Sequence, residues 1–259
     1  MAIAPTIVIF DSGIGGLTVY REVIKARPDA HYVYVADDAA FPYGEMPEEA
    51  LITRIVHVIG KEIAEHKPDL VVIACNTAST LALGELRARF SVPFVGTVPA
   101  IKPACAQSVS KLISVLGTQA TVGREYTRAL IREFAQGCDV HLAGSPRLAA
   151  YAEAELAGHA AEDAAIKAEI ESCFIEKDGR RTDTIVLACT HYPLLVERFR
   201  ANAPWDVSWL DPAPAIARRV ADLMRARERS DTPAPPRIVF TSGRAPSSAL
   251  AAALTRYGF

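Results

Sequence analysis

One segment occurs twice in the chain, and it restricts the fold more than any other feature. Residues 69–79, Asp-Leu-Val-Val-Ile-Ala-Cys-Asn-Thr-Ala-Ser, return in altered form as residues 183–193, Asp-Thr-Ile-Val-Leu-Ala-Cys-Thr-His-Tyr-Pro. In each copy an aspartate stands six positions before a cysteine, and an unbroken apolar run ending in alanine leads into it. Such a run, rich in Val and Ile and closed by polar residues, reads as a parallel strand buried on both faces, with the first turn of a helix behind it. Cys75 and Cys189 therefore take the same kind of place twice, at the carboxyl end of a strand.

The rest of the chain continues that rhythm. Residues 6–10 form a β run that ends in Asp-Ser-Gly-Ile-Gly-Gly and leads into a helix over 17–26, stopped before Pro28. A strand follows at 31–36, then an irregular loop containing Phe41-Pro42-Tyr43-Gly44. Leu51, Ile55, Val58, Ile59 and Ile63 recur at helical spacing and predict an amphipathic helix over 47–66. Strand 69–74, helix 76–90 and strand 92–95 complete a βαβαβαβ series, which implies a mostly parallel sheet with helices on both faces. After residue 97 the pattern restarts: helix 99–109, strand 112–116, helix 123–136, strand 140–143, helices 146–157 and 160–175, strand 184–188, helix 193–201 and strand 207–210. The remaining helix 213–228, strand 237–240 and helix 247–256 are too few to fold alone, so they are expected to rejoin the first unit. The expectation is an α/β protein of two similar lobes, 1–97 plus 211–259 and 98–210, each a mostly parallel sheet flanked by helices. Residues 230–236, with three prolines, read as a linker.

Composition narrows the partners. A net charge of −2 over 259 residues gives no electrostatic reason to expect nucleic acid or an anionic membrane as the main partner, so a small diffusible ligand is expected. No apolar run nears the roughly 20 residues of a membrane span, and the N-terminal stretch lacks a basic leader, which points to the cytoplasm. Five scattered cysteines fit reduced thiols better than a disulfide framework, and without a Cys-x-x-Cys or a His pair at helical spacing no metal is expected.

In open parallel sheets the ligand site lies beyond the carboxyl strand ends. The loops after residues 11, 37, 75 and 189 belong on that edge, so two lobes facing each other can bring both cysteines to one cleft. Two thiols without a cofactor motif suit removal of a proton from one face of a carbon and delivery of one to the other, one sulfur as thiolate and its partner as thiol. The plainer alternative is two ordinary buried cysteines, the reading preferred for Cys105, Cys138 and Cys173. Asp11 is placed to accept a proton, orient a thiol or hold an ammonium, or only to cap the first helix, while the glycine loop behind it offers N–H groups to an anion. His191 stands two residues after Cys189 and can relay a proton or simply sit at the surface. A non-catalytic anion-binding module and a thiol redox protein remain as readings of other classes.

Five motifs carry a resemblance: Phe-Asp-Ser-Gly-Ile-Gly-Gly-Leu at 10–17, Phe-Pro-Tyr-Gly at 41–44, Ala-Cys-Asn-Thr-Ala-Ser at 74–79, Val-Pro-Ala-Ile-Lys-Pro at 98–103, and Cys-Thr-His-Tyr-Pro-Leu-Leu at 189–195. Through them the chain resembles the cofactor-independent aspartate/glutamate racemases, and the last motif resembles the glutamate branch. The resemblance implies interconversion of L- and D-glutamate without any cofactor, supplying D-glutamate for peptidoglycan, in an enzyme that is usually a homodimer. By motif position it implies that Cys75 acts on the D enantiomer's α-proton assisted by Asp11, and Cys189 on the L enantiomer's assisted by His191. Substrate contacts would fall on Ser12, Tyr43, Gly44, Asn76, Thr77 and Thr190 as well as Asp11 and His191, with Asp37 and Glu153 as further acidic helpers. Two departures stand out: Ala188 where the family often has glycine, and an alanine-rich segment at 148–155 around Glu153.

Overall fold

The computed structural model describes residues 4–226 and 234–259. Its first elements are β1 (Thr6–Asp11), α1 (Leu17–Ala26), β2 (His31–Ala36), α2 (Glu48–His66), β3 (Leu70–Ile73), α3 (Asn76–Arg89) and β4 (Phe94–Gly96). Next come α4 (Ile101–Gln107), β5 (Leu112–Thr118), α5 (Gln119–Gly123), α6 (Glu125–Phe134), β6 (Asp139–Ser145), α7 (Leu148–Leu156) and α8 (Asp163–Ile170). A small hairpin, β7 (Glu176–Lys177) and β8 (Arg180–Arg181), precedes β9 (Thr184–Ala188), α9 (Val196–Asn202) and β10 (Ser208–Leu210). The chain returns with α10 (Ala213–Leu223), β11 (Arg237–Phe240) and α11 (Ser248–Thr255).

Two parallel sheets result, ordered β11-β2-β1-β3-β4 and β10-β9-β5-β6. The repeated strands β3 and β9 are interior in their sheets, which is why both read as continuous apolar runs. Strand alternation divides the cores. Ile7 and Ile9 face α1 and α10, whereas Val8 and Phe10 face α2 and α3. In the second sheet Ile185 and Leu187 belong to the core under α8 and α9, and Val186 and Ala188 to the core under α4. On α2 the predicted stripe is buried through Leu51, Ile55, Val58 and Ile59. The C-terminal return joins the first sheet: β11 pairs with β2, and the ring of Phe259 lies 5.0 Å from that of Tyr20.

The duplicated aspartates act at the opposite ends of their strands from the cysteines. Asp69 accepts the Thr6 N–H at 2.9 Å, and Asp183 accepts the N–H groups of Val109 and Ser110 and the Ser108 hydroxyl, each at 2.7 Å. Each one ties the start of a neighbouring strand to its own.

The structure redraws several predicted elements. The helix expected over 123–136 is two helices, because Thr118 caps α5 through the Thr121 N–H and Arg124 is extended (φ −79°, ψ 145°) before α6 begins. The helix expected over 160–175 stops at Ile170; after one 3₁₀ turn, Asp178 and Gly179 at positive φ (52° and 72°) close the β7–β8 hairpin. Asp-Gly is the preferred pair for such a two-residue turn. The helix expected at 193–201 opens as a 3₁₀ turn, Tyr192–Leu195, where Pro193 has no N–H to donate. Helix α10 ends at Leu223, short of 228; residues 230–233 of the expected linker lie outside the described residues.

Candidate active site

Cys75 and Cys189 line a single cavity between the two sheets, together with Ser12, Phe41, Pro42, Tyr43, Gly44, Asn76, Thr77, Thr118, Ala149, Ala188, Thr190 and His191. It is small, about 30 Å³, room for roughly two waters. The thiols are 5% and 6% exposed, one from each sheet.

Their surroundings differ more than the repeat suggests. Cys75 is the N-cap of α3: its sulfur accepts the Ala78 N–H at 3.4 Å, and its S–H donates to Ser12 Oγ at 3.6 Å. Burial pushes this thiol up to about 12 and the nearby Asp11 charge adds to the rise, against the pull of Ala78 and Ser12. Cys189 caps no α-helix; its contact is His191, with Nδ1 3.7 Å from the sulfur. A helix N-terminus was expected behind both cysteines, and only Cys75 has one.

His191 is 1% exposed and its ring Nε2 meets Glu153 Oε1 at 2.7 Å. Burial opposes its charge, yet the contacts with Cys189 and Glu153 outweigh it and hold the imidazole well above its ordinary value. The upward shift favours the protonated ring, which donates through Nε2 to Glu153. The Gly15 N–H also points at Nε2, at 3.2 Å, and bonds it when that nitrogen is unprotonated.

Asp11 is fully buried, and its hydrogen bonds go to the loop and to the other lobe. Oδ2 accepts the N–H groups of Gly13 (3.3 Å) and Gly16 (3.0 Å), and Oδ1 accepts the Thr190 hydroxyl at 3.1 Å. Burial raises its pKa, with His191 and the Gly16 N–H acting against the rise. No hydrogen bond joins Asp11 to Cys75 among the described residues; their coupling is electrostatic.

The glycine loop does not offer itself to an anion, because the N–H groups of Gly13 and Gly16 go to Asp11, that of Ile14 to Glu153 Oε1 at 2.7 Å, and that of Gly15 faces His191 Nε2 at 3.2 Å. The glycines instead let side chains approach: a Cβ on Gly13 would lie 2.2 Å from Glu153 Oε1, and one on Gly15 2.4 Å from His191 Nδ1.

Asn76 supplies the most informative polar group. It is 2% exposed, lines the cavity, and neither its Oδ1 nor its Nδ2 has a partner in the protein. A buried amide with both ends unbonded is costly unless a ligand completes it. Thr77 Oγ1 lies 3.3 Å from both Thr118 Oγ1 and Thr121 Oγ1, joining α3 to the second lobe. Arg124 strengthens the joint by donating to the Thr77 carbonyl at 2.9 Å. Tyr43 donates to Asp37, which also accepts Arg54 in bidentate fashion (2.6 and 2.7 Å). Burial would raise Asp37, but the bonds from Arg54, Thr241 and Tyr43 prevail and lower it. Asp37 does not line the cavity; it fixes the tyrosine that does. Thr118 and Ala149 also line it and had no sequence signal beyond the strand and helix they end or begin.

A two-lobe parallel α/β fold with one buried thiol from each lobe at a shared cavity defines a class, and residues 15–220 match the family model described as Asp/Glu/Hydantoin racemase. The chain belongs to that family, and so to the isomerases. Within it, the glutamate racemase of Brucella canis is 58% identical over 226 residues, 87% of this chain and 82% of the relative. The crystal structure of Escherichia coli glutamate racemase in complex with L-glutamate and the activator UDP-MurNAc-Ala superposes with a TM-score of 0.91 at 38% identity, covering 99% and 96% of the two chains. Glutamate racemase isoform RacE1 from Bacillus anthracis follows at 0.82 and 26% identity, covering 98% and 93%.

Proposed function

We propose that the chain interconverts L- and D-glutamate, with Cys75 and Cys189 as the two acid–base groups, and supplies D-glutamate for peptidoglycan. The observation that carries this reading is the pair of buried thiols, one from each sheet, at one cavity beside an unbonded Asn76 amide. For L-glutamate the Cys189 thiolate takes the α-proton while Cys75 S–H delivers its own to the opposite face; for D-glutamate the roles exchange. The raised Cys75 thiol fits a free enzyme that holds the Cys75 proton ready, with the His191 imidazolium facing the Cys189 sulfur. A substrate ammonium brings a positive charge into the cavity, which favours a thiolate there.

Asn76, Thr77, Ser12, Thr190 and the Tyr43-Gly44 turn are the substrate contacts in this reading, with Asp11 and His191 beside them. Glu153 and Asp37 act through His191 and Tyr43. The lobes are assigned as 1–97 plus 211–259 and 98–210, the enzyme works as a cytoplasmic homodimer, and it needs no cofactor. Among the described residues no helix is long and apolar enough to cross a membrane.

The test follows the Cα–H signal of each enantiomer in deuterated buffer. Cys75→Ala and Cys189→Ala should each lower racemisation by about 10²- to 10⁴-fold, the usual contribution of one acid–base group. An unchanged rate in either variant would refute the two-thiol assignment. Growth of a D-glutamate-requiring bacterium expressing the wild type, but neither variant, tests the peptidoglycan role.

A further inference from the structure

The last turn of α2 carries a second cluster of ionisable groups, none of which lines the cavity: Glu62, Glu65 and His66, with one ligand atom of each lying within 4.8 Å of the others. We propose that this turn binds a divalent d-block cation, with zinc as the reference case, through Glu62 Oε2, His66 Nε2 and a Glu65 carboxylate oxygen.

Spacing puts the three on one side of the helix, since positions i, i+3 and i+4 are neighbours there. Burial singles out Glu62, which is 2% exposed. Its Oε2 is buried without a hydrogen bond, and so is His66 Nε2. The two atoms stand 3.2 Å apart, a distance at which a protonated ring would ordinarily bond the carboxylate. Close approach without a bond means that the ring nitrogen is not aimed at the oxygen, an arrangement suited to two groups converging on a third centre. Ligand atoms about 2.0 Å from a tetrahedral zinc lie roughly 3.3 Å from one another.

Charge points the same way. Among the described residues neither Glu62 nor Glu65 pairs with a lysine or arginine, and the only ion-pair partner of either is His66. A buried carboxylate without a strong partner is expensive. The carboxyl end of α2 presents the negative pole of its dipole, which favours a cation in the final turn. Glu65 Oε1 lies 3.8 Å from His66 Nε2 on a side chain that is 58% exposed, so it is free to swing inward, and water completes the coordination. One imidazole and two carboxylates suit Zn²⁺, Co²⁺, Ni²⁺ or Mn²⁺ better than the soft ions that thiolates select. This Glu-x-x-Glu-His run contains neither a Cys-x-x-Cys nor a His–His pair, the spacings by which zinc sites are usually legible in a sequence.

The chain's cysteines compete for the same metals, so the experiment titrates Co²⁺, whose absorption separates sulfur from nitrogen and oxygen ligation, and repeats the titration with Zn²⁺ by calorimetry. The full chain should bind one Co²⁺ with a spectrum free of thiolate bands, at least tenfold more tightly than Glu62→Gln, His66→Gln and the surface variant Glu65→Gln. Zn²⁺ should raise the melting temperature of the wild type and leave those of the variants in place, while glutamate racemisation without added metal stays the same in all four. Absence of binding at millimolar metal, or equal affinity in the wild type and all three variants, would overturn the proposal and leave Glu62 and His66 as an ordinary helical ion pair.

Discussion

At the scale of single residues, the glycines of the first loop explain how the His191 ring comes to lie beside the Cys189 sulfur. Gly15 lies so close to the imidazole that any side chain would displace it. Gly15→Ala should therefore lower kcat at least tenfold, about 1.4 kcal/mol, while circular dichroism shows an unchanged fold. His191 also makes a pH prediction. Its folded pKa is raised, so the stabilisation from its contacts is fully present below the unfolded value near 6.5 and is lost as pH rises through the folded value. The melting-temperature gap between the wild type and His191→Gln should be widest below about pH 6 and narrow on the alkaline side. The sequence marked Cys75, Cys189, Asp11 and His191 as a group because each follows a strand. It could not disclose that Glu153 bridges the Ile14 N–H and His191, since that contact spans 139 residues of chain and an unremarkable helix.

At the scale of elements, legibility followed local chemistry. Strands β3 and β9 were plain because burial on both faces leaves an uninterrupted apolar run, and α2 because its buried positions repeat with the helical turn. Ile59→Ala should cost about 2–5 kcal/mol in denaturant unfolding, the usual result of emptying a closed core site. The break at Arg124 falls just after Gly123, a glycine that alone does not tell a helix end from a helix interior, and the Arg124 side chain bonds the Thr77 carbonyl 47 residues away, beyond any local pattern. The β7–β8 turn carries a local signal in its Asp-Gly pair, but its strands are two residues each, too short to show an alternating pattern. On α2, Arg54 serves the site from a distance by gripping Asp37. The lowered Asp37 adds stability above its unfolded value of about 3.8 that is lost as pH falls through the folded value. Asp37→Asn should accordingly flatten the acid limb of a stability–pH profile and raise KM through a loosened Tyr43.

At the scale of the whole molecule, the chain leaves the first lobe, builds the second and comes back, so that β11 closes the far edge of a sheet begun more than 200 residues earlier. The parallel rhythm showed the two sheets, but which edge receives the returning strand depends on packing between α10 and α1 that no local pattern encodes. The lobes meet through the threonine cluster, Arg124, and the Asp11–Thr190 bond, around a cavity too small for glutamate to enter without separation of its walls. If lobe separation limits turnover, adding a viscogen should slow kcat for the wild type and have little effect on slow-chemistry variants such as Cys75→Ala. The same chamber bears on the hydrogen in the proposed two-thiol reaction. Both sulfurs are nearly closed off from solvent, so a hydrogen carried on either of them should exchange with bulk water at the pace of wall opening and not at the pace of bond cleavage.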